Sequence, residues 1–406
     1  MKKTLWTKDF SLISVATILS VIGGEAMNLP LSLLVFDETQ STFLSAILLI
    51  CGMLPDIVLP VLIAPIIDKS RKKRWIVCLD LLLVFVYLLM GFWIFSHPFQ
   101  YSLYLAFTLV VGTISVCYSL AYQAWYPSLM TKGMEQKGYA VSSTIYPTVI
   151  IVMAPIATFL YENIEMYQIF ILVAGLTFAS VLLESNIKDT KVISEEKYTL
   201  SEYFADIKDG FSYIMQEKGI RNIYTYMSIT NGASNGIGTL TQAFYQTQSW
   251  LTVTMLGFLK SAEMIGRMLG GILQYRKEIP AKKRYVFTKF VYTVYDLLDA
   301  FLLFMPYPFM VVNRFVCGSL GVSSATIRQA AVQSYLPDGM RARVSAFFSV
   351  VTAMGGILFQ LVAGVMGEVM PYRVAALILG LLTFLSMIVF IVLPGKVNAS
   401  VYNYEG

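Results

Sequence analysis

Several carboxylate side chains lie inside long apolar stretches, where an ionised group is energetically unfavourable. Glu25 is the clearest case: it follows two glycines, Asn28 lies one helical turn later on the same face, and no basic residue is close in sequence. An ionisable side chain at the centre of a bilayer costs roughly 2.5–3.5 kcal/mol on insertion scales, so it usually has a function. We expect Glu25 to take up and release a proton. The alternative is a protonated glutamate that only hydrogen-bonds between helices.

Two further aspartates lie in the apolar stretches of the N-terminal half. Asp56 follows Pro55 and is either a second protonation site or a polar contact to a neighbouring helix, where the proline loosens the backbone. Asp80 lies about a turn and a half inside the next stretch, close to Arg74. For Asp80 an ion pair at the membrane edge is the preferred interpretation.

The C-terminal half carries charges of both signs in three consecutive apolar stretches. They are Lys260, Glu263 and Arg267 in the first, Asp296 and Asp299 in the second, and Arg314 in the third. Residues three and four apart share a helical face. At a rise of 1.5 Å per residue, Asp299 and Arg314 both lie about 10 Å into the membrane from the turn at 306–308. The near balance of charge favours a buried ion-pair network that braces the helices. A coupling network whose pairs exchange partners is the alternative.

Polar and aromatic side chains in other stretches suit the wall of a cavity better than contact with lipid. Residues 231–242 combine amides with several glycines, which is typical of a helix that faces a cavity or bends. The cavity candidates are Asn28, Tyr118, Tyr122, Tyr146, Asn231, Asn235 and Gln242. With 25 Tyr and 26 Phe in the chain, most aromatic residues must instead pack or lie at the membrane interface.

The apolar stretches themselves are long enough to cross a membrane. The chain has 406 residues, of which 57% are apolar and 14% charged, and soluble proteins carry roughly 25% charged residues. A membrane-spanning helix needs about 20 mostly apolar residues. Twelve such stretches occur, at about 10–36, 41–67, 75–96, 101–125, 141–161, 167–184, 221–246, 252–275, 285–306, 308–333, 345–367 and 371–393. The sequence therefore predicts an all-α membrane protein with twelve transmembrane helices.

Basic residues alternate from loop to loop. They precede the first stretch and fill the loops at 69–74 and 276–284, whereas the loops at 37–40, 96–100, 162–165 and 246–250 contain no Lys or Arg. The positive-inside rule places both termini in the cytoplasm. The net charge of +5 follows from this asymmetry, so nucleic acid is not expected as a partner. The four cysteines are widely spaced, which indicates neither a disulfide framework nor a metal site.

A hydrophilic segment divides the chain into two halves. We predict an N-terminal six-helix bundle at 1–184, a cytoplasmic linker at 185–220 and a C-terminal six-helix bundle at 221–406. In the linker a Thr199-x-x-Glu202 capping box precedes a helical apolar stripe from Phe204 to Met215, which predicts an amphipathic helix along the cytoplasmic face. The two halves also share a short sequence pattern, because Gln-x-x-x-Pro occurs at 123–127 and again at 333–337.

Four segments resemble members of the major facilitator superfamily, in the branch of macrolide-efflux and enterobactin-exporter-like proteins. They are 29–41, 54–82, 207–223 and 335–347. The resemblance implies two pseudo-symmetric bundles that rock around a central cavity, driven by an ion gradient. The loop between the second and third stretches carries the signature sequence of the superfamily. In this signature loop Ala64 stands where glycine is usual, and Lys69 follows Asp68 where arginine is usual.

The same loop has a role in gating, as the resemblance implies. Asp68 would pair with a basic residue or a helix end in one state, and the cations would hold cytoplasmic helix ends together. These cations are Arg71, Lys72, Lys73 and Arg74. The alternative is that they only set the topology.

We therefore expect a secondary active transporter of the cytoplasmic membrane, and not an enzyme, since neither a Walker A nor an HExxH sequence is present. The expected activity is proton-coupled efflux of amphipathic small molecules or drugs by a monomer. The proton gradient is the driving force, and no cofactor is needed. One alternative is an exporter or flippase of a lipid, siderophore or peptide. A second is a transport-inactive membrane sensor or assembly partner.

Overall fold

The computed structural model describes residues 4–68, 70–131, 134–188, 200–276, 279–337 and 340–404. Within these ranges the chain is helical and contains no β-strand. The helices of the N-terminal part are α1 (Lys8–Thr39), α2 (Thr42–Asp68), α3 (Lys72–Ser96), α4 (Tyr101–Trp125), α5 (Glu135–Asn163) and α6 (Met166–Ser185). The C-terminal part contains α7 (Leu200–Gln216), α8 (Lys218–Thr247), α9 (Val253–Arg276), α10 (Ala281–Phe301), α11 (Tyr307–Tyr335), α12 (Arg341–Val369), α13 (Tyr372–Met387) and α14 (Gly395–Tyr402).

Each of the twelve predicted apolar stretches falls on a long helix, α1–α6 or α8–α13. In the part of the chain that the structure describes, eight helices are both long enough and apolar enough to cross a membrane. Four of the twelve helices are not among the eight: α2, which is found only as a shorter apolar helix over Thr42–Ile57, and α8, α9 and α10, each of which carries a row of polar or charged residues. The all-helical class is confirmed, and the count of twelve crossings stays a prediction.

The helices form two compact units. The first contains Met1–Glu38, Leu48–Leu200 and Val253–Gly257, and the second contains Thr39–Ile47, Ser201–Thr252 and Phe258–Gly406. Each unit has its own apolar core. In the first, α3 packs against α6, and the rings of Tyr87, Phe107 and Phe170 meet at the centre. The two units are therefore stabilised by separate sets of buried side chains.

In the second unit α8 packs closely against α12. A Cβ atom on Gly232 would lie 2.5 Å from the backbone oxygen of Gly355, so only glycine fits at this crossing. The predicted amphipathic helix is α7, although Thr199 and the side chains of Glu202 and Phe204 lie outside the described residues. Its Ile214 is buried, and Phe211 lies 5.4 Å from Phe347 between ring centroids. Ile214 is thus packed within the second unit, whereas Phe211 and Met215 of the same stripe are exposed.

Candidate functional site

Two carboxyl groups are buried together in the first unit. Asp80 on α3 is 2% exposed, and Glu184, the penultimate residue of α6, is 0% exposed. They interact electrostatically with each other. The Tyr118 hydroxyl donates a hydrogen bond to Glu184 Oε1 at 2.8 Å. Asp80 Oδ2 and Glu184 Oε2 have no hydrogen-bond partner among the described residues.

The cations nearest in sequence do not neutralise this pair. The Lys73 Nζ donates to the backbone oxygens of Ser185 at 2.8 Å and Ile187 at 2.6 Å, so it caps the end of α6. Arg74 is exposed. The predicted ion pair of Asp80 with Arg74 is wrong, because six residues rotate a helix by about 240° and turn Asp80 inward while Arg74 points outward.

A cavity of about 270 Å³ lies beside the acid pair, entirely within the first unit. Asp80 lines it, together with the rings of Tyr87, Tyr118 and Tyr122. The remaining wall is mostly small and hydroxylated: Thr17, Ser20, Ser115, Ser119 and Thr177 among others. The Thr17 hydroxyl donates to the Tyr122 oxygen at 3.1 Å, and the hydroxyls of Ser20 and Ser180 are 3.1 Å apart. The cavity therefore offers carboxyl oxygens, hydroxyl groups and aromatic faces to one occupant.

The sequence-predicted residues of the first unit are distributed unevenly around this cavity. Tyr118 and Tyr122 line it, as does Gly24, the neighbour of Glu25. Glu25 itself is half-buried and has an interaction partner. In contrast, the side chains of Asn28, Asp56 and Tyr146 are exposed.

The predicted gating loop is described only in part. The side chain of Asp68 and all of Lys69 lie outside the described residues. Arg71 is exposed and Lys72 half-buried, and both have interaction partners. Of this group, Lys73 has a defined structural role as the cap of α6.

The second unit holds most of the predicted charge cluster. Arg314 Nη2 lies 2.6 Å from Asp299 Oδ1, with the two side chains 11% and 2% exposed. The Ser234 hydroxyl donates to Asp299 Oδ2 at 3.0 Å, and Asn313 Oδ1 accepts from Arg314 Nη2 at 3.1 Å. Asp296 accepts from the Tyr226 hydroxyl at 3.1 and 3.2 Å. This arrangement balances a buried arginine with a buried aspartate across α10 and α11.

The remaining members of the cluster lie nearer the surface. Arg267 and Glu263 form an ion pair of 2.8 Å within α9, and their side chains are 41% and 23% exposed. Lys260 is exposed and has an interaction partner. Such a half-exposed pair within one helix contributes about 1 kcal/mol to stability.

The amide-rich stretch of α8 presents one polar face. Asn231, Asn235 and Gly238 are exposed and Gln242 is half-buried, at positions i, i+4, i+7 and i+11, whereas the residues between them are mostly buried. This spacing puts all four on one side of the helix. The face is open in the second unit, as a wall of a substrate cavity must be.

Two charged residues that the sequence analysis does not single out, one buried and one half-buried, have no opposite charge beside them among the described residues. Glu184 is the last residue of its apolar stretch and looks like a helix end, yet α6 continues only to Ser185 and the side chain faces inward. Arg328 lies in a stretch, 308–333, that contains no acidic residue. The lack of an acid in that stretch is the signal that could have singled out Arg328.

The comparisons with known proteins agree on one family. The family model of the major facilitator superfamily matches residues 13–295, which is more than half of the chain. The chain therefore belongs to the major facilitator superfamily, and it is a multi-pass membrane transporter. No curated protein matches the sequence.

Solved transporter structures share the fold at very low sequence identity. The nucleoside transporter NupG superposes with a TM-score of 0.70 at 12% identity, covering 94% of this chain and 99% of that one. A peptide transporter, POT, gives 0.69 at 9% identity, with 98% and 96% covered. A bacterial homologue of the human lysosomal transporter Spinster, in an inward-facing and unoccupied conformation, gives 0.65 at 12% identity, with 98% of both chains covered. These likenesses establish the fold and leave the cargo open.

Proposed function

We propose that this protein is a proton-coupled secondary transporter that exports amphipathic small molecules by alternating access. The observation that carries the proposal is the buried acid pair of Asp80 and Glu184, of which Asp80 lines a cavity and Glu184 accepts a hydrogen bond from the cavity residue Tyr118. Two buried carboxyl groups that repel each other cannot both remain ionised without a cation. In the proposed cycle the pair therefore binds a proton or a positively charged group in turn.

A proton shared by Asp80 and Glu184 can be exchanged for a cargo molecule. When a cationic or hydrogen-bonding cargo enters the cavity, it can replace the proton as the partner of the carboxylates. When the cargo leaves, the pair takes a proton again. Binding of cargo and proton thus compete for the same oxygens, which is the requirement of an antiporter.

The shape and lining of the cavity support an amphipathic cargo. The faces of Tyr87, Tyr118 and Tyr122 can stack on apolar groups or contact a cation. Export as the direction rests on the resemblance of four sequence segments to the macrolide-efflux and enterobactin-exporter-like branch. A lipid, siderophore or peptide exporter, and a transport-inactive sensor, remain the alternatives. Glu25, next to the cavity wall, stays a second candidate for coupling.

Dye uptake into everted membrane vesicles tests the proposal. We expect ethidium uptake that collapses with the pH gradient and is abolished by Glu184→Gln, since the glutamine cannot exchange a proton. Asp80→Asn should reduce uptake as well. The matched control is Glu165→Gln, at the opposite end of α6, because Glu165 is exposed and its side chain caps the helix.

Three other outcomes change the conclusion. Uptake at native level in both acid-pair variants would contradict coupling at this pair, and its loss in Glu25→Gln would then move coupling to Glu25. No uptake above vesicles that lack the protein would contradict the drug-exporter function. A lipid, siderophore or peptide would then become the leading cargo.

A further inference from the structure

A second uncompensated charge, of opposite sign, lies in the second unit. Arg328 on α11 is half-buried among aromatic rings. Its guanidinium carbon lies 5.9 Å from the ring centroid of Phe348, and its Nη1 lies 2.6 Å from the sulfur of Met227. The hydroxyl of Tyr292 is within hydrogen-bonding reach of the guanidinium and is itself 2.9 Å from the hydroxyl of Tyr402. A thioether and neutral phenols are weak partners for an arginine.

No carboxylate among the described residues forms an ion pair with Arg328. The contrast with Arg314 on the same helix is direct, because Arg314 has Asp299 at 2.6 Å. Asp296, one turn along α10 from Tyr292, accepts hydrogen bonds from Tyr226. The second unit therefore neutralises one of its two α11 arginines with its own acid and leaves the other without one.

We propose that Arg328 binds an oxyanion of the cargo, a carboxylate or a phosphate, while the rings beside it hold an apolar part. The planar guanidinium presents paired N–H donors that match both anions. The face of an aromatic ring beside the guanidinium can contact a flat or aliphatic part of the same cargo molecule, next to its anionic group. Arg328 lies seven residues before the end of α11, about 10 Å along the helix axis, and its half-buried side chain lies beside the ring of Phe348.

This inference deepens the proposed function by naming a chemical group of the cargo. It rests on that function only for the statement that the bound molecule is transported. The acid cavity of the first unit suits a positive or hydrogen-bonding group, and Arg328 suits a negative one.

Binding is measured separately from transport, on the purified full-length chain in detergent. The probes are phenyl phosphate and 3-phenylpropanoate, with neutral 3-phenylpropanol as the uncharged comparison at equal ionic strength. We expect each anion, at millimolar concentration, to raise the thermal unfolding midpoint of the native protein by about 2 °C or more. The two anions distinguish a phosphate site from a carboxylate site, and a rise with either one supports the proposal.

Variants assign the effect to one side chain. Arg328→Gln should abolish the rise, whereas Arg276→Gln, which removes an exposed arginine of the same unit, should leave it unchanged. If Arg328→Gln does not fold, Arg328→Lys keeps the charge and should retain less than half of the rise, because an ammonium lacks the fork. An equal rise in native and Arg328→Gln protein, an equal rise with the neutral probe, or no rise in native protein would overturn the proposal. Loss of dye uptake in Glu184→Gln without any anion effect would reject this site and keep the proposed function.

Discussion

At the scale of single residues, the informative feature is which buried charges have partners. Asp299 and Arg314 form a direct pair, whereas Asp80, Glu184 and Arg328 have no opposite charge among the described residues. A paired charge braces the structure, because removing either member leaves the other buried alone. An unpaired one is available to a proton or a ligand.

The Asp299–Arg314 pair gives a stability prediction. Asp299→Asn should lower the free energy of unfolding by about 3–5 kcal/mol, since it leaves the buried Arg314 without a counter-charge. The double variant with Arg314→Gln should recover part of this loss. Thermal unfolding of the purified protein measures both. Glu263→Gln, in the half-exposed pair within α9, is the control and should cost about 1 kcal/mol. An equal loss in the control would contradict this account.

Sequence reasoning found the paired residues more readily than the unpaired ones. Depth along two antiparallel helices could be counted from the turn at 306–308, which brought Asp299 and Arg314 to the same level. The rotation of α3 relative to α6 could not be read from the sequence in the same way. As a result Asp80 was matched with Arg74, and Glu184 was passed over as a helix end.

At the scale of helices, small residues decide how closely α9 and α11 approach. A Cβ atom on Gly266 would collide with the backbone oxygen of Phe315, and one on Gly318 would collide with the backbone oxygen of Glu263. The two glycines therefore face each other's helices at one crossing. This crossing holds Glu263 on α9 beside the segment of α11 that carries Arg314.

Alanine substitution on α9 tests the crossing. Gly266→Ala should destabilise the protein by about 1–3 kcal/mol, because overpacking forces the helices apart. Gly271→Ala, on the same helix, is the matched control, since its nearest neighbour atom would be an ordinary contact at 3.8 Å from Val322. Gly271→Ala should be neutral or stabilising, as alanine favours helix more than glycine does. Equal unfolding midpoints of the two variants would contradict the close crossing.

The polar face of α8 gives a prediction of accessibility. In a variant whose four native cysteines are replaced, Asn231→Cys and Asn235→Cys should react with a water-soluble maleimide in native membranes. Ile237→Cys should not, because Ile237 is 1% exposed. Protection of the two reactive positions by cargo would support a cavity wall. Failure of both to react would show that this face meets lipid or protein, and the cavity residues predicted on α8 would be wrong.

At the scale of the whole molecule, the sequence predicted the positions of the helices well, because apolar stretches and loop residues differ sharply in composition. Each predicted stretch falls on a helix, with ends that differ by a few residues. The superfamily was also identified from sequence, through four segments in the right order, and the family model confirms it. Tyr118 and Tyr122 line the cavity as predicted, whereas the place of Asp80 in its wall could not be predicted, because it depends on how α1, α3, α4 and α6 are rotated against one another.

The orientation in the membrane remains a prediction that fusion proteins can test. In a bacterial host, a green fluorescent protein fused after the last residue should fluoresce, because the positive-inside rule places the C-terminus in the cytoplasm. Alkaline phosphatase at the same position should be inactive, and in the 162–165 loop it should be active. The reverse pattern would invert the topology and, with it, the side from which cargo enters.

The acid pair without a cation also affects how much net charge crosses the membrane in each transport cycle. If Asp80 and Glu184 together bring one proton inward while a cargo of no net charge leaves, each turnover carries one net elementary charge across the bilayer. The membrane potential then contributes about 2.3 kcal/mol for every 100 mV, in addition to the pH difference. A potassium diffusion potential should therefore drive the exchange even when the pH is equal on both sides of the membrane. Transport of this kind is electrogenic.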